Sequence, residues 1–150
     1  MRHALLQWSG LVHIGVVILN FLAIRLYFGR SEGSLMCRMF GFKSVIPSQV
    51  HNSLVNADNA LGFQSENHPD GWGVVHYIDG SPHVIRSSET AKDDKLFHRV
   101  SGVVSSETVV AHVRKATQGN PSVLNCHPFQ YGRWIFAHNG DIPNFEDCRE

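Results

Sequence analysis

A cysteine preceded directly by a methionine heads the stretch Met36-Cys37-Arg38-Met39-Phe40-Gly41-Phe42. Trimming of Met36 as an initiator would leave Cys37 with a free α-amine beside its own thiol. An α-amine titrates at about 7.7–8.0, so it takes a thiol proton near neutral pH without any perturbation. Nucleophile and base then belong to one residue, as when a threonine hydroxyl pairs with a terminal amine. Met-Cys alone reads first as an ordinary strand-edge cysteine after an internal methionine, and it is the later clusters that reverse this.

The first of these is Ala111-His112-Val113-Arg114-Lys115-Ala116-Thr117-Gln118-Gly119. A strand ending in Arg114 sets a guanidinium at a sheet edge, where its planar fork matches a carboxylate in two places. Thr117 adds a hydroxyl and Gly119 permits a tight turn. A surface arginine in a salt bridge is the plainer alternative. The second cluster is Asn125-Cys126-His127-Pro128-Phe129. Neighbours on an extended chain point to opposite sides, so Cys126 and His127 are not read as a thiol–imidazole pair. Cys126 is expected as a small buried hydrophobe, with Asn125 and His127 as hydrogen-bonders that fix a loop. The third is Phe136-Ala137-His138-Asn139-Gly140-Asp141. Asn-Gly after a strand is first a turn signal. It also offers an oxyanion two donors, the Asn139 side-chain amide and the Gly140 backbone N–H, with glycine permitting close approach.

The elements that must hold these groups alternate between strands and helices. Cys37–Phe42 reads as a strand, and Ser48 as the cap of a helix through Leu61 with apolar Val50, Leu54, Val55 and Ala57. His68-Pro69-Asp70-Gly71-Trp72-Gly73 is a turn with two glycines. Val74–Ile78 and His83–Arg86 are strands about an Asp79-Gly80 hairpin. Ser88-Glu89-Thr90 is expected to open a second helix to Val100. Thr108–Arg114 and Arg133–His138 are further strands, and Asn144 is placed at the cap of a last helix. The hairpin argues against a purely parallel sheet, so a layered α+β domain with largely antiparallel sheets is expected. The helix broken off at Glu150 suggests a domain continued beyond this sequence.

Composition narrows the class. The 150 residues are 43% apolar and 17% charged, which describes a folded chain. Thirteen basic and thirteen acidic side chains cancel, leaving no electrostatic case for nucleic acid. Cys37, Cys126 and Cys148 are odd in number and widely spaced, so no disulfide framework or zinc knuckle is expected. The ten histidines are scattered, with no His-x-x-x-His pair to suggest a metal. Reduced thiols fit a cytoplasmic protein.

Residues 1–36 differ from the rest. Leu11–Phe28 is an apolar run of roughly 18 residues, the lower limit for a membrane-spanning helix. His13, Asn20 and Arg25 interrupt it, and polar groups in hydrocarbon are costly. No small-residue cleavage site follows. The segment is a membrane anchor, a propeptide whose removal exposes Cys37, or an extension upstream of a true start at Met36. The last is favoured. A membrane association follows only if the leader is retained.

Met-Cys, His-Val-Arg-x-x-Thr-x-Gly, Asn-x-His-Pro and His-Asn-Gly-Asp occur in that order, and the sequence from Cys37 onward resembles the glutaminase domain of class II glutamine amidotransferases. These are N-terminal-nucleophile hydrolases. Cys-Arg-Met-Phe-Gly, His-Pro-Asp-Gly-Trp-Gly and Ala-His-Val-Arg-Lys-Ala are most similar to the stand-alone branch, which includes γ-glutamyl hydrolases. The resemblance implies a four-layer αββα sandwich over residues 37–150, with Cys37 as nucleophile and its own amine as base. It implies Arg114, with Thr117 nearby, as the holder of a glutamine or γ-glutamyl α-carboxylate, Asn139 and Gly140 as the oxyanion donors, and Asp70-Gly71-Trp72-Gly73 as the wall of the substrate pocket, with Asp70 equally readable as a turn residue. No metal and no cofactor are implied. Either a partner protein receives the nitrogen or water is the only acceptor of the γ-glutamyl group; the partner protein implied is a synthase or peptidase. Cys37 is not the first residue as numbered, and the family's substrate-amine-binding aspartate would fall beyond Glu150. A catalytically silent γ-glutamyl-binding or subunit-interaction module is the alternative.

Overall fold

The computed structural model describes residues 36–140 in full, and residues 13–20 and 23–30 as backbone strands. Among the described residues eight strands make two four-stranded sheets, and every described pairing is antiparallel. In chain order they are β1 (His13–Asn20), β2 (Ala23–Arg30), β3 (Arg38–Gln49), β4 (Trp72–Ile78), β5 (Ser81–Ser87), β6 (Ser105–Val113), β7 (Phe129–Tyr131) and β8 (Trp134–Asn139). The helices are the one-turn α1 (Leu61–Gln64) and the longer α2 (Lys95–Val103). One sheet runs β3-β6-β4-β5 and the other β2-β1-β8-β7. The expected α+β class with antiparallel sheets is what the chain forms.

Alternation along β6 explains the layering. Val109, Ala111 and Val113 face a core with Phe40 of β3, Trp72 and Val74 of β4, Leu54, Leu61, and Phe97 and Val100 of α2. Trp72 and Phe97 meet edge to face at 5.1 Å. The intervening residues of β6 point the other way, as period two requires. There Val110 packs with Met39 of β3 and Ala137 of β8, which joins the two sheets.

Two expectations need correction. The helix from Ser48 to Leu61 does not form. Strand β3 continues to Gln49, with Ser48 paired to Ser106 across a register shift between Lys43 and Ser48. Pro47 lies inside that irregularity, where a missing N–H costs no ladder bond. Val50 and Leu54 are buried as expected, but Leu54 is carried by a π-helical turn at Asn52–Asn56 separate from α1, and Val50 lies just before that turn. The second helix begins later than Ser88-Glu89-Thr90. Its N-cap is Asp94, which accepts the Leu96 N–H at 2.8 Å and the Trp72 indole N–H at 3.0 Å, so α2 is fixed to β4 at its first turn.

His13–Asn20 and Ala23–Arg30 are two paired strands rather than turns of one spanning helix. Val16-Val17-Ile18 is a β-branched series that favours extended chain. Among the described residues no helix is long and apolar enough to cross a membrane. Strand β1 also pairs with β8, with Gly15 opposite Asn139. Asn144 and Cys148 lie outside the described residues.

Candidate active site

Strand register gathers the groups singled out above. Arg38 of β3 is paired with Val113 of β6, which brings Cys37 opposite Arg114 one step further on. Trp72 of β4 is paired with the same Val113, and the ladder extends there too: Arg114 N–H donates to Gly71 O at 2.7 Å, and Asp70 N–H to Arg114 O at 3.1 Å. Parity then sets the side. Cys37 shares the face of Met39, Arg114 that of Val110, and Asn139 that of Ala137, which are the faces that pack together.

The contacts agree. Cys37 Sγ accepts the Lys115 backbone N–H at 3.3 Å and lies 3.5 Å from the Lys115 carbonyl, to which its S–H donates. Asn139 Nδ2 donates to the Cys37 carbonyl at 2.7 Å. An amide nitrogen has two hydrogens, so one remains. Gly140 follows at a φ of 121°, a conformation that a side chain would strain.

Arg114 is not the surface salt-bridge arginine of the plainer reading. It is 8% exposed. Its Nη2 donates to Gln118 O at 2.7 Å, while Nη1 is buried without a hydrogen-bond partner. The ion pairs among the described residues are Lys43–Glu107 and Lys92–Glu66, and neither involves it. A buried charged donor left unmatched costs about 1–3 kcal/mol or more, a burden that an arriving carboxylate would lift.

Asp70 is a clasp on the chain beyond β6: its Oδ2 accepts the Ala116 N–H at 2.8 Å. Gly71, at φ 113°, lies where a Cβ would fall 2.4 Å from Cys126 Sγ and 2.8 Å from Ser87 O. At Gly73 a Cβ would meet His127 O at 2.2 Å. The two glycines around Trp72 therefore let the 126–127 segment pack directly on the β4 backbone. Thr117 lies on the exposed loop after β6, three residues past Arg114.

Cys126 is fully buried, and its one S–H lies between the Ser87 and Ser122 carbonyls, each 3.3 Å from Sγ. Burial pushes its thiol pKa up, which keeps it an unreactive core residue, as expected. Asn125 fixes its loop by donating to Asn120 O at 3.1 Å. His127 does not. Both its ring nitrogens lack hydrogen-bond partners, and it packs edge-on against His112 at 4.8 Å, His138 at 4.6 Å and Phe129 at 4.5 Å. Burial and the neighbouring His138 and Arg114 push its pKa down to about 3. His112 is driven down by the same causes, burial foremost. Among the described residues no group of three or more His, Cys, Asp or Glu is arranged to hold a metal ion.

Two residues at the site were not singled out in the sequence. Arg38 Nη1 donates to Met36 O at 2.7 Å and to Cys37 O at 3.3 Å. His68, only 4% exposed, reaches the same Met36 oxygen with Nε2 at 2.8 Å. Each was legible only as a neighbour of a motif: Arg38 follows Cys37, and His68 opens the His-Pro-Asp-Gly turn.

Residues 36–150 match the model of the family described as glutamine amidotransferases class-II, and the chain belongs to that family. It is 33% identical over 120 residues to an uncharacterized protein of Methanocaldococcus jannaschii, covering 75% of this chain and 32% of that one. It is 32% identical over 119 residues to the gamma-glutamyl-hercynylcysteine sulfoxide hydrolase of Mycobacterium tuberculosis, covering 71% of this chain and 50% of that one. It is 38% identical over 116 residues to the glutamine–fructose-6-phosphate aminotransferase (isomerizing) of Vibrio vulnificus, covering 77% of this chain and 18% of that one. The chain thus spans half or less of the length of each of these relatives.

Proposed function

We propose that this protein hydrolyses the γ-glutamyl amide of glutamine or of a related γ-glutamyl compound, with Cys37 as the terminal nucleophile after loss of Met36. The observation that carries this reading is the buried, half-satisfied guanidinium of Arg114, in register with Cys37 and on the same face of the sheet. A fixed cation one strand away from a thiol fits a substrate with a carboxylate at one end and a cleavable carbonyl at the other.

The Cys37 amine takes the thiol proton, and the thiolate attacks the γ-carbonyl carbon. The oxyanion forms against the second Nδ2 hydrogen of Asn139 and the Gly140 N–H. Each such donor is worth roughly 2.7–4 kcal/mol in the transition state. The C–N bond then breaks, and the terminal ammonium protonates the departing ammonia or amine. Water hydrolyses the γ-glutamyl thioester, giving the free acid and the thiol. No metal or cofactor enters these steps. The reading carries with it a four-layer αββα sandwich, a cytoplasmic setting that keeps the thiol reduced, water as acceptor of the γ-glutamyl group, and a synthase or peptidase partner protein.

A glutamine-like electrophile tests the assignment. It is expected to label Cys37 and neither Cys126 nor Cys148, and to abolish glutaminase activity in step with labelling. Labelling that survives Cys37→Ala refutes the nucleophile. The silent γ-glutamyl-binding reading has one observation in its favour, the clasp of Arg38 and His68 on the Met36 carbonyl, and it predicts binding without turnover.

A further inference from the structure

His68 is held between two carbonyl oxygens. Its Nδ1 lies 2.7 Å from Gln64 O and its Nε2 2.8 Å from Met36 O. A neutral imidazole has one N–H and satisfies only one of them. An imidazolium would satisfy both, but the surroundings oppose it: burial lowers the His68 pKa, and the charges of Arg38 and Lys115 lower it further, against the two carbonyls. Arg38 lies on β3, Lys115 just past β6, and His112 of β6 is the other titratable group coupled to it. The neutral ring therefore places a lone pair against one carbonyl. Gln64 O belongs to the helical turn four residues back and stays whatever happens at the terminus, so it takes the N–H. The lone pair on Nε2 then faces Met36 O.

That conflict disappears if Met36 leaves. An amide oxygen sits about 2.3 Å from the nitrogen of the next residue. With Met36 gone, two donors border the vacated place: the Cys37 amine and Arg38 Nη1, which also reaches Cys37 O. We propose that His68 is a positioning residue: in the protein beginning at Cys37, its Nε2 accepts a hydrogen bond from the α-amine and turns the amine lone pair toward the thiol. Arg38 stays on Cys37 O, and its charge keeps the amine from holding its proton too tightly. This deepens the reading of Cys37 as terminal nucleophile and rests on it.

The test uses protein isolated with Cys37 as its first residue, verified by intact mass. His68→Asn keeps a donor for Gln64 O but stops short of the amine. Its kcat is expected to fall at least about tenfold with KM nearly unchanged. The acid limb of kcat/KM should also move by about half a pH unit or more toward acid, because a bond favouring the charged amine has gone. His68→Gln carries an amide oxygen to the place of Nε2 and is expected to restore the original limb. A folded His68→Asn protein with an unmoved limb overturns the proposal. Nitrogen NMR of the unsubstituted protein needs no variant: Nδ1 should carry the proton and Nε2 none. A proton on Nε2 overturns the proposal as well. Failure of the underlying reading looks different, since Cys37→Ala would then retain activity and both claims fall.

Discussion

Replacing Arg114 by Met separates a binding arginine from a structural one. The side chain is buried, gives one hydrogen bond to Gln118 O and leaves Nη1 unmatched. Met fills most of the same space without a charge. Removing the unmatched donor relieves about 1–3 kcal/mol, and losing the charged bond to Gln118 O costs about 1.5–3 kcal/mol. The two nearly cancel, so stability should change by no more than about 1 kcal/mol, a Tm shift of roughly 2–4 °C either way. Substrate binding has no such compensation. Two charge-assisted bonds to an α-carboxylate are worth roughly 3–4 kcal/mol, so kcat/KM should fall about 10²–10³-fold, mostly through KM. Thermal denaturation and steady-state glutaminase kinetics on the same preparation read both numbers. A variant destabilised by about 3 kcal/mol or more, with KM unchanged, would show that Arg114 only ties down the 114–119 loop.

Three other outcomes follow from the same contacts. Asn139→Ala should lower kcat about 10²–10³-fold with little effect on KM, as for loss of one oxyanion donor; an equal rise in KM would place Asn139 in ground-state binding. Gly71→Ala should destabilise by about 3 kcal/mol or more in chemical denaturation, from its φ of 113° and its collision with Cys126 Sγ and Ser87 O. Cys126→Ala should not rescue it, because Ser87 O and the dihedral remain. His127 binds a proton near 6.5 when unfolded but only near 3 when folded. Its stabilisation is complete above pH 6.5 and should fade as pH drops toward 3, by about 1.4 kcal/mol per unit. His127→Leu should flatten that acid loss in urea titrations, and an unchanged slope would acquit His127.

The local code marked strands and motifs more faithfully than helices. Asp79-Gly80 specified its hairpin because both residues adopt positive φ, 47° and 75°, which few other pairs tolerate. Arg114 and Asn139 could be nominated from their places at strand ends. That they share a face with Cys37 depended on pairings between strands far apart in sequence, Arg38 with Val113 above all. The Ser48 helix failed because Ser48 found a partner in Ser106 on β6, and long-range pairing overrode a local cap. His127 was expected to fix a loop, yet its surroundings are aromatic rings from three other segments. His68 and Arg38 carried no signal of their own, since their shared target is a backbone carbonyl.

The mass of the active protein is the most direct measurement. Glutaminase activity and intact mass should be followed across the same chromatographic peak. Activity should track the species whose first residue is Cys37 and be absent from any species that retains Met36. Full activity in a species with the Met36–Cys37 bond intact would contradict the account.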